Sequence, residues 1–295
     1  MYQLLALAEA VRPHQWAKNV LLALPLAAAH QLMDFGAVLQ VIAGIALFSL
    51  MASSIYLIND SRDIESDRAH PEKKHRPLAS GRLSLPVALT AAALGGLTSV
   101  GFAATLSLPF ALVLLGYAGL SIGYTVILKR IVLVDVFALV ALYLLRIFAG
   151  AVLVGIAISP WLLAFSLFMF LSLALVKRQA ELLEVGEKKD LVSRGRGWAV
   201  NDIPLVRTLG VGAGLISVLV LALYVDSEQS VRLYEQPLIL WLVCPLLLFW
   251  IVRIWRITEQ GKMYHDPLVF AMRDVVSAVL GIAIITVIAV AVMGA

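Results

Sequence analysis

The sequence predicts an all-α integral membrane protein with nine transmembrane helices, and three observations support this fold class. Of the 295 residues, 61% are hydrophobic and 14% are charged, whereas a soluble domain is roughly a quarter charged. The mean hydropathy is +0.94. Apolar runs close to the roughly 20 residues that a helix needs to cross a bilayer recur along the chain. Such repetition indicates membrane spans rather than one large soluble core.

The spans are predicted to follow a short amphipathic helix on the membrane surface, in which Leu4, Leu7 and Val11 recur at helical spacing. The predicted spans are Val20–Leu32, Val38–Ile58, Leu85–Leu106, Pro109–Leu128, Val132–Ile156, Pro160–Val176, Leu205–Tyr224, Pro237–Ile254 and Pro267–Met293. Proline stands near the start of several spans, where its missing N–H costs little. We expect one transmembrane domain over residues 1–295. The single cysteine, Cys244, is expected to be an apolar filler.

Basic residues are concentrated in alternate loops. Nearly all Lys and Arg lie in the N-terminus and in stretches 59–84, 129–131, 177–204 and 255–266, whereas the other loops contain only Arg232. This is the positive-inside pattern, and it predicts that the basic loops are cytoplasmic. We therefore expect a multi-pass protein of the cell inner (cytoplasmic) membrane, with its active site facing the cytoplasm. The net charge of +4 then needs no nucleic-acid partner.

An aspartate cluster follows the second predicted span. On a helix, Asp60, Asp63 and Asp67 stand at i, i+3 and i+7, which places them within an arc of roughly 60°. Three carboxylates on one face repel each other unless a cation lies among them. Hard oxygen ligands suit Mg²⁺, which commonly bridges carboxylates and substrate phosphates. The alternative is a solvated acidic helix end, although acidic residues there oppose the helix dipole.

Basic residues follow the aspartates directly. Arg76 and Arg82 flank the stretch Pro77–Gly81 and have the fork geometry that holds phosphate bidentately. An anchor to anionic lipid is the alternative. Further along, Asp135 and Arg146 lie in the fifth predicted span, about three turns and 16 Å apart on one side of a helix. Ionisable groups at this depth face a cavity or a partner, so they either line a polar pocket or pair with other spans.

Several motifs together resemble the UbiA superfamily of intramembrane prenyltransferases, over nearly the whole chain. The pattern Asn-Asp-x-x-Asp-x-x-x-Asp begins at Asn59, and Tyr124 with Lys129 resembles a Tyr/Lys element of that family. Other motifs resemble its decaprenyl-phosphate phosphoribosyltransferase branch, which makes polyprenyl-phosphoryl-ribose for cell-wall arabinan. They are the stretches 12–19 (Arg-Pro-His-Gln-Trp-Ala-Lys-Asn), 56–60, 67–71, 75–81, 143–150 and 177–182.

The resemblance implies nine helices around a central cavity open to the cytoplasmic face. It also implies that 5-phosphoribose passes from phosphoribosyl diphosphate to a polyprenyl phosphate, with release of diphosphate. Catalysis and Mg²⁺ binding are assigned to Asp60, Asp63 and Asp67. Substrate binding is assigned to Lys18, Asn59, Arg76, Tyr124, Lys129, Asp135, Arg146, Lys177, Arg178 and Glu181.

One departure from the family pattern bears on the reaction. Aromatic prenyltransferases of the superfamily carry a second aspartate-rich motif after the sixth helix, where this chain has Lys177-Arg178-Gln179-Ala180-Glu181, with Glu187 and Asp190 beyond it at the wrong spacing. One acidic cluster opposed by cations suits a metal–diphosphate and a second phosphate. The alternatives are prenyl transfer to an aromatic acceptor such as 4-hydroxybenzoate, and a cation-binding transporter, which would be expected to show paired halves. In the stretch from His265 to Asp274, the two aspartates Asp266 and Asp274 either cap a helix or face the site.

Overall fold

The computed structural model describes residues 2–70, 73–187, 197–263 and 266–293, and this part of the chain is helical, without β-strands. Eight of its helices are long and apolar enough to cross a membrane. The all-α prediction is confirmed, and the chain is a multi-pass membrane protein. The count of nine spans and the central cavity stay predictions.

Thirteen α-helices are described, joined by turns and 3₁₀ segments. They are α1 (Tyr2–Ala10), α2 (Leu24–Ala28), α3 (Phe35–Arg62), α4 (Ile64–Arg68), α5 (Leu85–Leu106), α6 (Leu108–Val126), α7 (Val134–Val154), α8 (Pro160–Glu187), α9 (Ile203–Val225), α10 (Glu228–Leu233), α11 (Val243–Glu259), α12 (Pro267–Arg273) and α13 (Val275–Met293). The 3₁₀ segments are Pro13–Ala23, Lys73–His75, Leu128–Arg130, Val200–Asp202 and Pro237–Leu242.

The first predicted span has an unexpected conformation. Instead of one α-helix over Val20–Leu32, the chain forms the 3₁₀ segment Pro13–Ala23 followed directly by α2. A 3₁₀ helix rises about 2.0 Å per residue, so the two pieces together are about 30 Å long. This is close to the thickness of the hydrocarbon core, although no α-helix here has the length of a span.

Two predicted helices are interrupted at an aspartate. The aspartate cluster does not lie on one continuous helix, because α3 ends at Arg62, Asp63 has φ −98° and ψ 10°, and α4 begins at Ile64. The last predicted span, Pro267–Met293, is divided into α12 and α13 at Asp274, whose backbone is extended. Asp266 accepts a hydrogen bond from the Leu268 N–H at 3.2 Å, and Asp274 accepts one from the Ser277 N–H at 2.7 Å. Both aspartates therefore cap helices.

The chain divides into two compact units, of which the first comprises Met1–Leu128 and Leu142–Ile158. In it α3 packs against α5, α6 and the 3₁₀ segment Pro13–Ala23. The core is built around the fully buried rings of Phe48 and Phe110. Gly150 allows a close approach, since a Cβ there would lie 1.9 Å from the Leu22 carbonyl oxygen. Side-chain hydrogen bonds from Trp16 to Ser53 and from Asn19 to Ser49 add polar contacts to this packing.

The second unit comprises Lys129–Ala141 and Ser159–Ala295. Here α8 packs along α9, and α11 contacts both. The indole of Trp255 lies against Gly210 and donates a hydrogen bond to Ser172 Oγ at 3.0 Å. Cys244 is buried, in keeping with its predicted role as a filler. Pro71, Asp190 and His265, and the side chain of Glu187, lie outside the described residues. One transmembrane domain over residues 1–295 stays a prediction.

Candidate active site

Asp60 and Asp67 are buried carboxylates in the first unit, with 5% and 4% of their surfaces exposed. Asp60 lies in the last turn of α3 and Asp67 lies on α4. Arg12 reaches Asp60 from the turn that follows α1, and its Nη2 donates to Oδ1 at 2.6 Å and to Oδ2 at 2.7 Å. The Arg12 guanidinium also lies 5.0 Å from the centre of the Tyr56 ring. A cation–π contact of this kind stabilises the positive charge of the guanidinium.

Arg76 joins the two buried acids. Its Nη1 donates to Asp60 Oδ1 at 3.1 Å and to Asp67 Oδ2 at 2.7 Å. One nitrogen therefore lies between two carboxylates and relieves the repulsion that the sequence predicted. Arg82 does not join this group. It forms an exposed pair with Glu9 at 2.6 Å, and this hydrogen bond lowers the pKa of the Glu9 carboxyl.

The third aspartate differs from the other two. Asp63 ends α3 and is half-buried, and within the described ranges its carboxylate has no hydrogen-bond or ion-pair partner. Asn59, one turn before it, donates from Nδ2 to Thr125 Oγ1 at 3.1 Å. The three aspartates therefore differ, because Asp60 and Asp67 are bound by arginine and Asp63 is not.

A divalent cation such as Mg²⁺ would need oxygen ligands from this group of acids. In the described part of the chain, no three His, Cys, Asp or Glu side chains converge as a ready-made metal site. Asp60 and Asp67 nevertheless share the cationic Nη1 of Arg76, so a positive charge already lies between them. Carboxylate oxygens are the ligands that Mg²⁺ prefers. The residues therefore fit a divalent cation that takes the place of a guanidinium.

A second polar cluster of the first unit surrounds Arg146, which is 5% exposed. Its Nε donates to Asn19 Oδ1 at 3.0 Å, its Nη1 to the Leu142 carbonyl at 2.5 Å and its Nη2 to the Tyr117 hydroxyl at 3.1 Å. The rings of Tyr117 and Phe48 also lie within 5.5 Å of the guanidinium. These hydrogen-bond partners are all neutral, so the positive charge of Arg146 is not balanced by any of them.

In the second unit, Asp135 and Arg178 form an ion pair without exposed surface, with Oδ2 and Nη2 2.5 Å apart. Arg178 Nη1 also contacts Glu181, and Trp198 Nε1 donates to Asp135 Oδ1 at 2.9 Å. Asp135 and Arg146 thus have separate partners, and the polar pocket expected to contain both stays a prediction.

The remaining predicted ligands are placed as follows. Lys177 Nζ lies 3.5 Å from Asp266 Oδ2. Lys129 is half-buried in the segment Leu128–Arg130, and none of the described side chains pairs with it. Lys18 and Tyr124 are half-buried in the first unit, on the 3₁₀ segment Pro13–Ala23 and on α6.

Two contacts of functional interest were missed from the sequence. Arg12 belongs to the family motif at residues 12–19, but no spacing connects it with an aspartate 48 residues away. Trp198 is fully buried against Asp135, and no spacing in the sequence signals that contact.

Comparison with known proteins identifies the family of this chain. A model of the UbiA prenyltransferase family matches residues 20–273. The chain belongs to this family. Its members are membrane transferases, and the resemblance inferred from the sequence is confirmed. The matched residues include parts of both compact units and all three aspartates of the cluster.

Three relatives illustrate the range of similarity. The chain is 39% identical to the uncharacterized protein y4nM of Sinorhizobium fredii over 92% of its own length, but it spans only 53% of that protein, about half. It is 34% identical to the nodulation protein NoeC of Azorhizobium caulinodans, over 94% of this chain and 90% of that one. It is 31% identical to a decaprenyl-phosphate phosphoribosyltransferase of Mycolicibacterium smegmatis, over 94% and 89%.

The fold has also been seen in solved structures. A UbiA homolog from Archaeoglobus fulgidus bound to DMAPP and Mg²⁺ superposes with a TM-score of 0.71, covering 96% of this chain and 99% of that chain. The sequences are 16% identical, so this likeness concerns the fold alone.

Proposed function

We propose that the chain transfers 5-phosphoribose from phosphoribosyl diphosphate to a polyprenyl phosphate and releases diphosphate, in a Mg²⁺-dependent reaction. The observation that carries the proposal is the group of Arg12, Asp60, Arg76 and Asp67, in which two buried acids alternate with two guanidiniums. Acids can hold a divalent cation and guanidiniums can hold phosphate oxygens. A metal–diphosphate needs both, side by side.

In this proposal Asp60, Asp63 and Asp67 hold the cation, and Asn59 assists them. When bound, Mg²⁺ neutralises the charge that develops on the leaving diphosphate. Arg12 and Arg76 are near enough to the same carboxylates to contact the outer diphosphate oxygens. Fixed charges of this kind, aimed at the leaving group, stabilise the transition state without reorganisation during the reaction.

The acceptor step follows from the chemistry of a phosphate nucleophile. An oxygen of the polyprenyl phosphate attacks C1 of the ribose, the bond from C1 to the diphosphate oxygen breaks, and diphosphate leaves with the electron pair. The attacking oxygen is already anionic, so no strong general base is required. Lys129 is the favoured cation for the second phosphate, because none of the described acids neutralises it.

The other predicted substrate-binding residues fall into two groups. Lys18, Tyr124 and Lys177 are partly exposed and suit direct contact with substrate. The charges of Asp135, Arg178 and Glu181 are already used in one buried cluster, and Arg146 is hydrogen-bonded within the first unit. We propose that these four shape the site, at the cytoplasmic face of the inner membrane that the basic loops predict.

Two observations favour phosphoribosyl transfer over prenyl transfer. The chain is similar to a decaprenyl-phosphate phosphoribosyltransferase of Mycolicibacterium smegmatis over 89% of that protein's length. The position of the second aspartate-rich motif holds Lys177 and Arg178, so the chain offers cations where a second metal–diphosphate cluster would need acids. Prenyl transfer to an aromatic acceptor is the alternative within the same family.

The test uses the purified full-length protein in lipid nanodiscs. Phosphoribosyl diphosphate labelled in the ribose is supplied with decaprenyl phosphate and Mg²⁺, and labelled lipid and free diphosphate are measured. A parallel reaction contains a prenyl diphosphate and 4-hydroxybenzoate. We expect equal amounts of labelled lipid and diphosphate in the first reaction, none without Mg²⁺, and at least about 100-fold less of both with Asp60→Asn. Turnover only in the parallel reaction would establish the alternative, and turnover in neither would contradict both.

A further inference from the structure

Arg12 occupies an unusual position relative to the carboxylate of Asp60. A single nitrogen, Nη2, is 2.6 Å from one oxygen and 2.7 Å from the other, so it lies on the axis that bisects the carboxylate. This is where a cation bound by both oxygens would lie. Arg76 takes a further position on Oδ1 at 3.1 Å. A metal ion cannot be chelated by Asp60 until the Arg12 nitrogen has moved.

Resting on the function proposed above, we propose that Arg12 and the divalent cation compete for Asp60, and that Arg12 transfers its hydrogen bonds to the diphosphate when the cation binds. Arg12 is thus a residue that makes metal binding depend on the phosphorylated substrate. With the metal alone, two positive groups would face each other at short range. With diphosphate present, the guanidinium gains an anionic partner in place of the carboxylate.

The surroundings of Arg12 suit this exchange. Its side chain is 24% exposed, whereas that of Asp60 is 6% exposed, so the arginine is the partner with room to move. The Tyr56 ring, 5.0 Å from the guanidinium, is a second support that does not depend on the acid. The backbone of Arg12 has φ 52°, the left-handed region that few residues other than glycine adopt. From this backbone conformation the Arg12 side chain reaches Asp60 and Tyr56 on α3.

The coupling can be measured without catalysis. Mn²⁺ replaces Mg²⁺ as a probe, and free Mn²⁺ is counted by electron paramagnetic resonance during titration of the full-length protein, with and without inorganic pyrophosphate. The proteins are wild type, Arg12→Gln, Arg12→Lys and Asp60→Asn. Arg82→Gln is the matched control, because it removes one arginine charge from an exposed pair in the same unit.

Loss of a competing charge should tighten the binding of Mn²⁺ alone to Arg12→Gln by about tenfold. The enhancement of Mn²⁺ binding by pyrophosphate should shrink by a similar factor, because the anion loses a guanidinium. Arg12→Lys should fall between wild type and Arg12→Gln, and Arg82→Gln should match wild type. If Arg12→Gln does not fold, Arg12→Lys decides the question.

Unchanged or weaker binding of Mn²⁺ alone to the folded Arg12 variants would overturn the competition. That result is distinguishable from failure of the proposed function. If wild type and Asp60→Asn bound Mn²⁺ equally, the aspartates would hold no metal, and both proposals would fall. If Asp60→Asn lost binding and Arg12→Gln matched wild type, only the role of Arg12 would be rejected.

Discussion

Asp135 and Arg178 pair at 2.5 Å with no exposed surface on either side chain. Glu181 and the indole of Trp198 complete the cluster. Removing two charges from water costs several kcal/mol per ion, and only close pairing offsets that cost. The cluster joins the start of α7 to α8 and to the chain that leads into α9, so its integrity should determine the stability of the second unit.

Replacing Arg178 with methionine should lower the free energy of unfolding by about 3–5 kcal/mol, because Asp135 would be left buried and unpaired. Thermal unfolding in detergent, followed by circular dichroism, measures the loss. The double variant Asp135→Asn/Arg178→Met should recover part of it. Arg232→Met is the control, since its partner Glu228 is 90% exposed, and exposed pairs contribute about 1 kcal/mol at most. Equal losses in the two single variants would refute the prediction.

Asp60→Asn and Asp63→Asn should each lower turnover by about 100-fold or more, because a lost carboxylate weakens the charge stabilisation of the leaving group. Both proteins should insert and accumulate as wild type. Initial rates of diphosphate release give the measurement, and Glu65→Gln, an exposed acid on α4, is the control. Normal rates in both aspartate variants would remove the cluster from the mechanism.

Gly150→Ala should destabilise the first unit by about 3 kcal/mol, since the new Cβ would lie 1.9 Å from a backbone carbonyl that cannot turn aside. Gly119→Ala is the matched variant. No heavy atom lies within 4 Å of its new Cβ, and alanine favours a helix. The midpoint of thermal unfolding should fall for Gly150→Ala alone. A stable Gly150→Ala protein would show that Leu22 does not approach α7 this closely.

Asp274 should make the protein's stability depend on acid pH. Hydrogen bonds from Arg253 lower the pKa of its carboxyl from 3.8 to about 2. A lowered pKa stabilises the folded state above the unfolded value, and this contribution is lost as the pH falls from about 4 to about 2.

Asp274→Asn should therefore unfold at a lower temperature than wild type at pH 6, and the difference should shrink steadily below pH 4. Asp226→Asn, at an exposed helix end, should match wild type throughout. The comparison uses thermal unfolding in a detergent that is stable to acid. A difference that stayed constant down to pH 2 would assign the effect to packing.

Orientation can be tested because the chain has one cysteine, which is buried. In a Cys244→Ser background, Ser66→Cys in α4 should react with an impermeant maleimide only from the cytoplasmic side. Glu228→Cys in α10 should react only from the opposite side. Intact cells and inverted membrane vesicles give the two measurements. Labelling of both positions from the same side would contradict the predicted topology.

The hydrophobic pattern predicted the helical fold well, because lipid solvation depends on local composition. The predicted span Leu85–Leu106 coincides with α5. Local composition does not report backbone breaks, so the 3₁₀ conformation of Pro13–Ala23 and the interruptions at Asp63 and Asp274 were missed. Asp63 was expected on a continuous helix, whereas capping by Asp274 was one of the alternatives that the sequence left open.

The candidate site was predicted as a set of residue types rather than as a set of contacts. The aspartates, Asn59 and Arg76 were identified by type and spacing. Whether a cation contacts substrate or another residue depends on what faces it from distant helices. Arg178 and Arg82 have the same chemistry in the sequence, yet one is buried between two acids and the other is paired at the surface. Neither the burial of Arg178 nor the surface pairing of Arg82 can be predicted from the spacing of residues along the chain.

The 3₁₀ segment Pro13–Ala23 gives Arg12 a mechanical link to the core. Eleven residues measure about 22 Å as a 3₁₀ helix and about 16 Å as an α-helix. Asn19 is held by Ser49 and Arg146. If the segment changed from a 3₁₀ helix to an α-helix, its N-terminal end, next to Arg12, would move by several ångströms. This movement would withdraw the Arg12 guanidinium from Asp60, while Asn19 stayed in place.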